Sequence, residues 1–409
     1  MIVWHEVKRA RSRPPLPPGF GTIWICVALD LVGFGLVFPI LPIYAKRFHV
    51  SSATATGLVA AFAAASFLCS PLWGRVSDRV GRKPILLLSL AGTAVGSLVT
   101  GLAGGIVVLY LGRVIDGVSG ASVSVAQAAV SDVAALDQRA RLFGLLGAAF
   151  GIGFVAGPAL GALAALWGPR VPFFVAAAIA GANALVALRT LPETHPKGSR
   201  SEGRRAGPFA ALAKAQGVVP LISVAFLTLL SFSAFEATFA LFGQRRVGLG
   251  VGSSAGVFAA IGLVIVIVQG GLVHPVVSRL GEPRTLRAGL LADVLGLVVL
   301  AFAHGWAAIV PALLLLTVGQ GLVQTTMSSS LAGRADPARR GEVLGAQQSA
   351  GGLARVIGPV AGGFLLQQVG LGAPYVVGAI VTGTALLLLQ ASGIAARPSP
   401  SPPASTPAG

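Results

Sequence analysis

Four acidic residues stand singly inside long apolar stretches of the sequence: Asp30, Asp116, Glu236 and Asp293. A carboxyl group within a membrane is costly unless it is protonated, paired or exposed to water. Each of these residues can therefore be a structural acid bonded to a neighbouring helix, or a site that binds a proton or a cation. Four such acids are more than a scaffold needs, so the set favours proton or cation binding.

Two arginines, Arg113 and Arg355, lie in the same kind of apolar stretch. Arg113 and Asp116 are three residues apart, which on a helix places them on one face and allows them to pair. A buried arginine also changes how readily a nearby acid takes up a proton. Asp116 is thus either a second proton site or the counter-ion of Arg113.

Glu236 lies among Phe232, Phe235 and Phe239. An acid in such surroundings can attract a cationic compound, with the rings supplying dispersion and cation–π contacts. The alternative is that Glu236 serves as the counter-ion of Arg355. The sequence leaves both interpretations open.

The elements that position these residues are long apolar stretches. The chain has 409 residues, of which 55% are hydrophobic and 11% charged, and its mean hydropathy is +0.84. A helix that crosses a bilayer needs about 20 apolar residues. Twelve stretches meet this requirement, at residues 20–44, 55–76, 84–104, 106–131, 141–165, 169–192, 215–243, 253–278, 285–304, 306–332, 341–367 and 371–395. The sequence therefore predicts an all-α membrane protein with twelve transmembrane helices.

The net charge of +17 would suggest a nucleic-acid partner in a soluble protein, but its distribution indicates topology instead. Of the 30 Lys and Arg residues, 23 lie at the termini and at the even-numbered connections, and only 5 lie at the odd-numbered ones. Positive charge accumulates on the cytoplasmic side of membrane proteins. We therefore expect both termini in the cytoplasm, the lipid bilayer as a partner, and no nucleic acid.

The connection between the second and third stretches is a short, strongly basic segment, Gly74 to Pro84. Its first glycine would let a helix end approach a neighbour, and Gly81 would supply a tight reversal of the backbone. Asp78 would lie beside a helix N-terminus, where the dipole and free amides favour an acid. The candidate gating residues of this segment are Gly74, Asp78, Arg79, Gly81 and Arg82.

The fifth stretch carries small residues at regular spacing. Glycines spaced in this way form one face for close helix packing, and a proline among them loosens the helix locally. The residues concerned are Gly144, Gly153, Gly157, Pro158 and Gly161.

An internal repeat divides the chain. A shift of 200 residues superposes Arg79-Val80-Gly81 on Arg279-Leu280-Gly281, and a shift of 201 superposes Gly157-Pro158 on Gly358-Pro359. A repeat of this length indicates two similar units. We predict a basic, proline-rich cytoplasmic tail over residues 1–19, a six-helix half over 20–192, a cytoplasmic loop over 193–214, a second half over 215–395 and a disordered tail over 396–409.

These motifs together resemble the major facilitator superfamily of transporters. The segment Gly-x-x-x-Asp-Arg-x-Gly-Arg-Lys from Gly74 is similar to the loop between helices two and three of that superfamily. Asp30 before Val-Gly-x-Gly, Arg113 in its Gly-Arg-Val setting, and Asp293 after Ala resemble the drug:proton antiporter branch, tetracycline exporters included. The glycine spacing of the fifth stretch resembles the antiporter signature, with Ala162 where its last glycine would stand.

The resemblance implies two pseudo-symmetric six-helix halves with a substrate site between them. It implies a proton-coupled exporter of amphipathic cationic or zwitterionic drugs that works as a monomer, without a cofactor, in the bacterial plasma membrane. The alternatives are an exporter or proton symporter of a small metabolite or sugar, and a receptor or scaffold. The sequence lacks a phosphate-binding P-loop, a metal-ligand cluster and a nucleophile turn, so we expect neither an ATP-driven pump nor an enzyme.

Overall fold

The computed structural model describes residues 16–134, 138–194, 217–334 and 340–392. Within these ranges the chain forms twelve long helices: α1 Phe20–Val37, α2 Ser52–Val80, α3 Arg82–Leu102, α4 Ile106–Val133, α5 Arg139–Ala164, α6 Val171–Thr190, α7 Val218–Val247, α8 Val251–Leu280, α9 Glu282–Ala301, α10 Trp306–Arg334, α11 Arg340–Gln368 and α12 Ala373–Ala391. Each helix falls on one of the twelve predicted stretches. Most of the predicted tail 1–19 and loop 193–214, and the whole tail 396–409, lie outside the described residues.

Eleven of the twelve helices are long and apolar enough to cross a membrane. The exception is α9, which is 20 residues long but carries Glu282, Arg284, Arg287 and Asp293. Three of these charges lie in its first two turns, where a membrane helix can reach the polar headgroup region. The chain is therefore a multi-pass membrane protein in which α9 differs from its neighbours by composition rather than by length.

Three helices depart from a continuous α-helix. The first stretch, predicted as one helix over 20–44, ends at Val37 and resumes as a short segment, Leu41–Ala45, because Pro39 and Pro42 lack the backbone N–H that an α-helix needs. A π-helical turn, Val268–Leu272, interrupts α8 at its Gly-Gly pair.

The break in α4 falls at Gly120 and Ala121, between the segments Ile106–Ser119 and Ser122–Val133. Carbonyl groups freed by the break receive hydrogen bonds from side chains of α2: Trp73 Nε1 donates to the Val118 carbonyl at 2.6 Å, and Ser66 Oγ donates to the Gly120 carbonyl at 3.3 Å. Because these donors come from another helix, tertiary contacts stabilise the break.

The helices pack in the same pairs in both halves. In the first half α1 packs on α5 and α3 on α4, and in the second half α7 packs on α11 and α9 on α10. The halves meet along two seams, α2 with α11 and α5 with α8. This arrangement confirms two pseudo-symmetric six-helix halves.

The hydrophobic cores show how the halves sit together. At the distal end of the bundle, which holds the α1–α2 and α7–α8 connections, one core combines residues of both halves, and the rings of Phe38 and Phe258 meet across the seam with centroids 6.4 Å apart. At the terminal end, where α1 begins, each half has its own core. Among the described residues, nothing lies within 4 Å of a Cβ atom built at Gly144 of α5 or Gly345 of α11. The shared core thus closes the bundle at its distal end, whereas in the described part of the chain no such core joins the halves at the terminal end.

Candidate functional site

Asp30 lies on α1 beside the break in α4. Its Oδ2 atom accepts a short hydrogen bond from Ser122, the first residue of the second α4 segment. Its Oδ1 atom is buried and has no hydrogen-bond partner among the described residues. One half of this carboxyl group is therefore satisfied by a different helix, and the other half is free to hold a proton or to meet a ligand.

Arg113 and Asp116 form a buried ion pair on α4. Arg113 Nη1 lies 2.9 Å from Asp116 Oδ2, Arg113 Nη2 donates to Thr100 Oγ1 at 3.1 Å, and the two charged residues are 3% and 6% exposed. Gly96 of α3 allows this arrangement, because a Cβ atom there would come within 2.8 Å of Asp116. Asp116 is the counter-ion of Arg113 in this state, and it also interacts electrostatically with Asp30.

Arg113 lines a small pocket between the first helices of the chain. Phe34, Phe38 and Phe62 form its apolar wall, with the rings of Phe34 and Phe62 5.4 Å apart. All the lining residues belong to the first half, and the guanidinium of Arg113 is bonded to Asp116 and Thr100. In this state the pocket is too small for a drug molecule.

Glu236 and Arg355 face one another on α7 and α11 without touching. Their charges interact electrostatically, but among the described residues no N–O contact of 4 Å or less joins them. Glu236 is partly buried next to Phe232 and Phe235, and Arg355 is exposed. Arg355 therefore acts on Glu236 through its field without a direct ion pair, and both interpretations of Glu236, as a counter-ion and as a cation-binding group, stay open.

Asp293 is the most isolated of the four acids. It is 3% exposed, and in the described part of the chain neither carboxyl oxygen has a hydrogen-bond partner. It packs against Gly319 of α10, where a Cβ atom would lie 2.4 Å from Asp293 Oδ1.

The internal repeat relates Asp293 to the ion pair of the first half. A shift of 200 places it on Thr93, which is hydrogen-bonded to Asp116. The same shift places Leu313 on Arg113 and Leu316 on Asp116. The two halves therefore share the helix contact but not the charges: the first has a closed ion pair, the second a single acid.

Arg82 organises the segment between α2 and α3. It is 6% exposed and binds Asp78 Oδ1 at 2.7 Å, Asp132 Oδ2 at 2.9 Å and Ser77 Oγ at 2.6 Å. The end of α2, the start of α3 and the end of α4 are thereby joined within the first half. Arg79 is exposed.

Two details of this segment differ from the sequence-based expectation. Asp78 belongs to the last turn of α2, and the free amides at the start of α3 are taken by Glu193, which accepts from Arg82 N at 2.8 Å and Lys83 N at 3.2 Å. Among the described residues, nothing lies within 4 Å of a Cβ atom built at Gly74. Gly81 does supply the reversal, with φ 104°.

Sequence reasoning missed Asp132 and Glu193 as partners of this segment. The only signal available was that each is the first acid after an apolar stretch, at the ends of the fourth and sixth helices. Ser122 was missed too, because a hydroxyl group among many gives no signal by itself.

The glycines of α5 pack on α1, the helix that carries Asp30. A Cβ atom at Gly153 would meet Leu31, one at Gly157 would meet Val32 and Gly35, and one at Gly161 would meet Leu36. Pro158 lies in the same contact, and α5 continues through it as a helix. Gly144 takes no part in this packing. The repeated residues Gly358 and Gly362 of α11 pack on α7 in the same way.

This fold and these sites are typical of a multi-pass membrane transporter. The family profile described as Major Facilitator Superfamily matches residues 23–359, with a second match over 272–409. The chain belongs to the major facilitator superfamily.

The relatives are drug-resistance proteins. The chain is 34% identical over 342 residues to the class C tetracycline resistance protein of Escherichia coli, covering 82% of this chain and 86% of that one. It is 29% identical over 347 residues to multidrug resistance protein 2 of Bacillus subtilis, covering 83% and 86%. Among solved structures it is similar to the human organic anion transporter MFSD10, with a TM-score of 0.70 and 26% identity over 92% of this chain and 100% of that chain.

Proposed function

We propose that this chain is a proton-coupled antiporter that exports amphipathic cationic or zwitterionic drugs by alternating access. The observation that carries the proposal is the half-satisfied carboxyl group of Asp30, bonded to Ser122 on one side and unpartnered on the other. The similarity to tetracycline and multidrug resistance proteins supports export of drugs. The proton gradient supplies the energy, and one chain is sufficient.

Membrane orientation follows from the charges. The positive-inside rule places both termini, and with them the terminal end, in the cytoplasm of a bacterial cell. The structure is then the state that takes up drug from the cytoplasm, since its distal end is closed. Once the protein faces outward, protons from outside reach Asp30 and the remaining acids, and the drug leaves as the site loses its negative charge. The protonated protein then returns to the state that faces the cytoplasm.

The charged residues Glu236 of α7 and Arg355 of α11 fit such a substrate. Glu236 is not bonded directly to Arg355, so an exposed cation and a partly buried acid stand next to each other. A zwitterion can meet both, and a cation can meet Glu236 with the neighbouring phenylalanine rings. Asp116 is paired with Arg113, so it would act on the substrate through its electrostatic field rather than by direct contact.

The test is drug efflux and proton release in inverted membrane vesicles, comparing the wild type with Asp30→Asn. We expect tetracyclines or ethidium to collapse an imposed pH gradient in the wild type and not in the variant. Arg279→Gln, at the exposed residue that the internal repeat places on Arg79, is the control and should behave as the wild type. If no drug perturbs the gradient, or if Asp30→Asn couples normally, the proposal is wrong.

A second candidate is the export of a small metabolite. The exposed guanidinium of Arg355 favours it, and so does the 26% identity with a human organic anion transporter. Transport that is indifferent to the charge of the test compound, or that prefers anions, would select this candidate in the same vesicles.

A further inference from the structure

The distal end of the bundle carries cations and no acids. Five of the chain's Lys and Arg residues lie at the connections of this end, and none of its 13 Asp and Glu residues does. The five are Lys46, Arg47, Arg170, Arg245 and Arg246. These cations are few, as the positive-inside rule leads one to expect, but no acid of the chain stands at this end to balance them.

Cations of both halves meet at one place. Lys46, which follows α1, donates from Nζ to the Val50 carbonyl at 2.7 Å, and Arg245, at the end of α7, donates from Nη2 to Ser52 Oγ at 3.0 Å. The two acceptors are two residues apart in the connection that leads into α2. Lys46 and Arg245 thus approach each other across the closed seam between the halves.

Lys46 and Arg245 are close enough for the charge of one to act on the other. Partial burial lowers the pKa of Lys46, and the positive charge of Arg245 lowers it further. Both effects disfavour the charged lysine. No acid at this end offsets them in the chain itself.

Arg246 completes the group. The repeat shift of 200 residues places it on Lys46, so the two occupy equivalent positions at the ends of α7 and α1. Its guanidinium carbon lies 5.8 Å from the centre of the Phe242 ring, which fixes its direction, and its buried Nε has no hydrogen-bond partner among the described residues. Because Arg246 directly follows Arg245, the end of α7 carries a second arginine, with a spare donor, next to the approach of Lys46 and Arg245.

We propose that Lys46, Arg245 and Arg246 form a binding site for a phosphate-type oxyanion that bridges the two halves and stabilises the closed distal end. Arginine and lysine donors are the usual partners of phosphate groups, and Lys46 and Arg245 bring such donors from both halves to the same connection. The anion would neutralise cations that are brought together only when this end is closed. Opening the distal end separates the ends of α1 and α7 and releases the anion.

The phosphate group can belong to a lipid of the adjacent leaflet or to a soluble ion. The site lies at the rim of the bundle where headgroups are within reach, and Arg47 and Arg245 are exposed. Both sources present the same chemistry, so the experiment separates them.

The experiment measures the unfolding temperature of the purified full-length protein. One arm uses detergent with increasing inorganic phosphate or pyrophosphate, against chloride at equal ionic strength. The other uses nanodiscs of phosphatidylcholine with and without phosphatidylglycerol. The variants are Lys46→Gln with Arg245→Gln, and Arg170→Gln as the matched control. Arg170 is a cation of the same end whose Nη2 donates to the Ala103 carbonyl within the first half.

We expect a saturable rise of several degrees in the wild type and in Arg170→Gln, and a rise at least threefold smaller in the double variant. A rise with phosphate or pyrophosphate identifies a soluble oxyanion, and a rise only with phosphatidylglycerol identifies a lipid phosphate. The double variant removes like charges, so it should fold. No rise in either arm, or an equal rise in the double variant, would overturn the proposal.

Discussion

Substituting Gly157 by alanine tests the contact that holds α1 in place. The added Cβ atom would lie 2.7 Å from the Val32 carbonyl oxygen and 2.8 Å from the Cα of Gly35. Carbon atoms pack best at about 3.5–4.0 Å, and both neighbours are backbone atoms that cannot turn aside. The two helices must therefore separate by about 1 Å.

The magnitude follows from this overlap. Overpacking of a tight contact costs typically about 1–3 kcal/mol. For a unit the size of one six-helix half, each kcal/mol corresponds to about 2–4 °C in the unfolding temperature. We expect Gly157→Ala to lower Tm by about 2–12 °C, and to reduce drug efflux as well, since Val32 lies two residues from Asp30.

Gly144→Ala is the control within the same helix and the same glycine pattern. Nothing lies within 4 Å of the Cβ position there. Alanine also has the higher helix propensity, by about 1 kcal/mol, so this variant should be neutral or slightly stabilised. Thermal unfolding in detergent and efflux in vesicles measure both effects. Equal Tm values for the two variants would refute the packing argument.

Two other predictions concern the charges of the first half. Asp116→Asn leaves Arg113 buried without its counter-ion, which should lower the free energy of unfolding by about 3–5 kcal/mol. Replacing both residues by leucine, the residue at both equivalent positions of the second half, should restore the unfolding temperature but not proton-coupled efflux. If the double variant is as unstable as Asp116→Asn, the ion pair is not what stabilises this contact. Arg82→Gln should abolish efflux and speed hydrogen exchange at the start of α3, because three helix ends lose their common partner. Arg279→Gln, at an exposed residue of the second half, should leave both unchanged. Normal efflux in Arg82→Gln would contradict this role.

The twelve helices could be predicted because the requirement for apolar length is imposed by the bilayer and is visible in any window of the sequence. Their interruptions could not. The break at Gly120 depends on Trp73 and Ser66 reaching freed carbonyls from another helix, and glycine occurs in most of these helices without breaking them. The π-helical turn of α8 likewise has no local signal beyond its glycine pair.

The candidate site divides in the same way. Arg113 and Asp116 could be paired from sequence because their spacing alone brings them together on one helix. Glu236 and Arg355 lie on different helices, so the distance between them depends on how α7 and α11 are rotated. The sequence alone could not choose between a counter-ion and a cation-binding role for Glu236. Glu193 could not be identified from the sequence, because it accepts hydrogen bonds from two backbone amides, and backbone amides give no sequence signal.

The two halves share their packing residues but not their charged residues. Positions that pack repeat: Gly157 and Gly358 lie at equivalent helix contacts in the two halves. Positions that carry charge do not: Glu282 stands where the repeat places Arg82, and it accepts hydrogen bonds from Ser329 and Ser330 instead of bridging acids. Two halves with equal packing can rock against each other as similar bodies. Because their charges differ, the protonation and substrate binding proposed above would act on the two halves unequally.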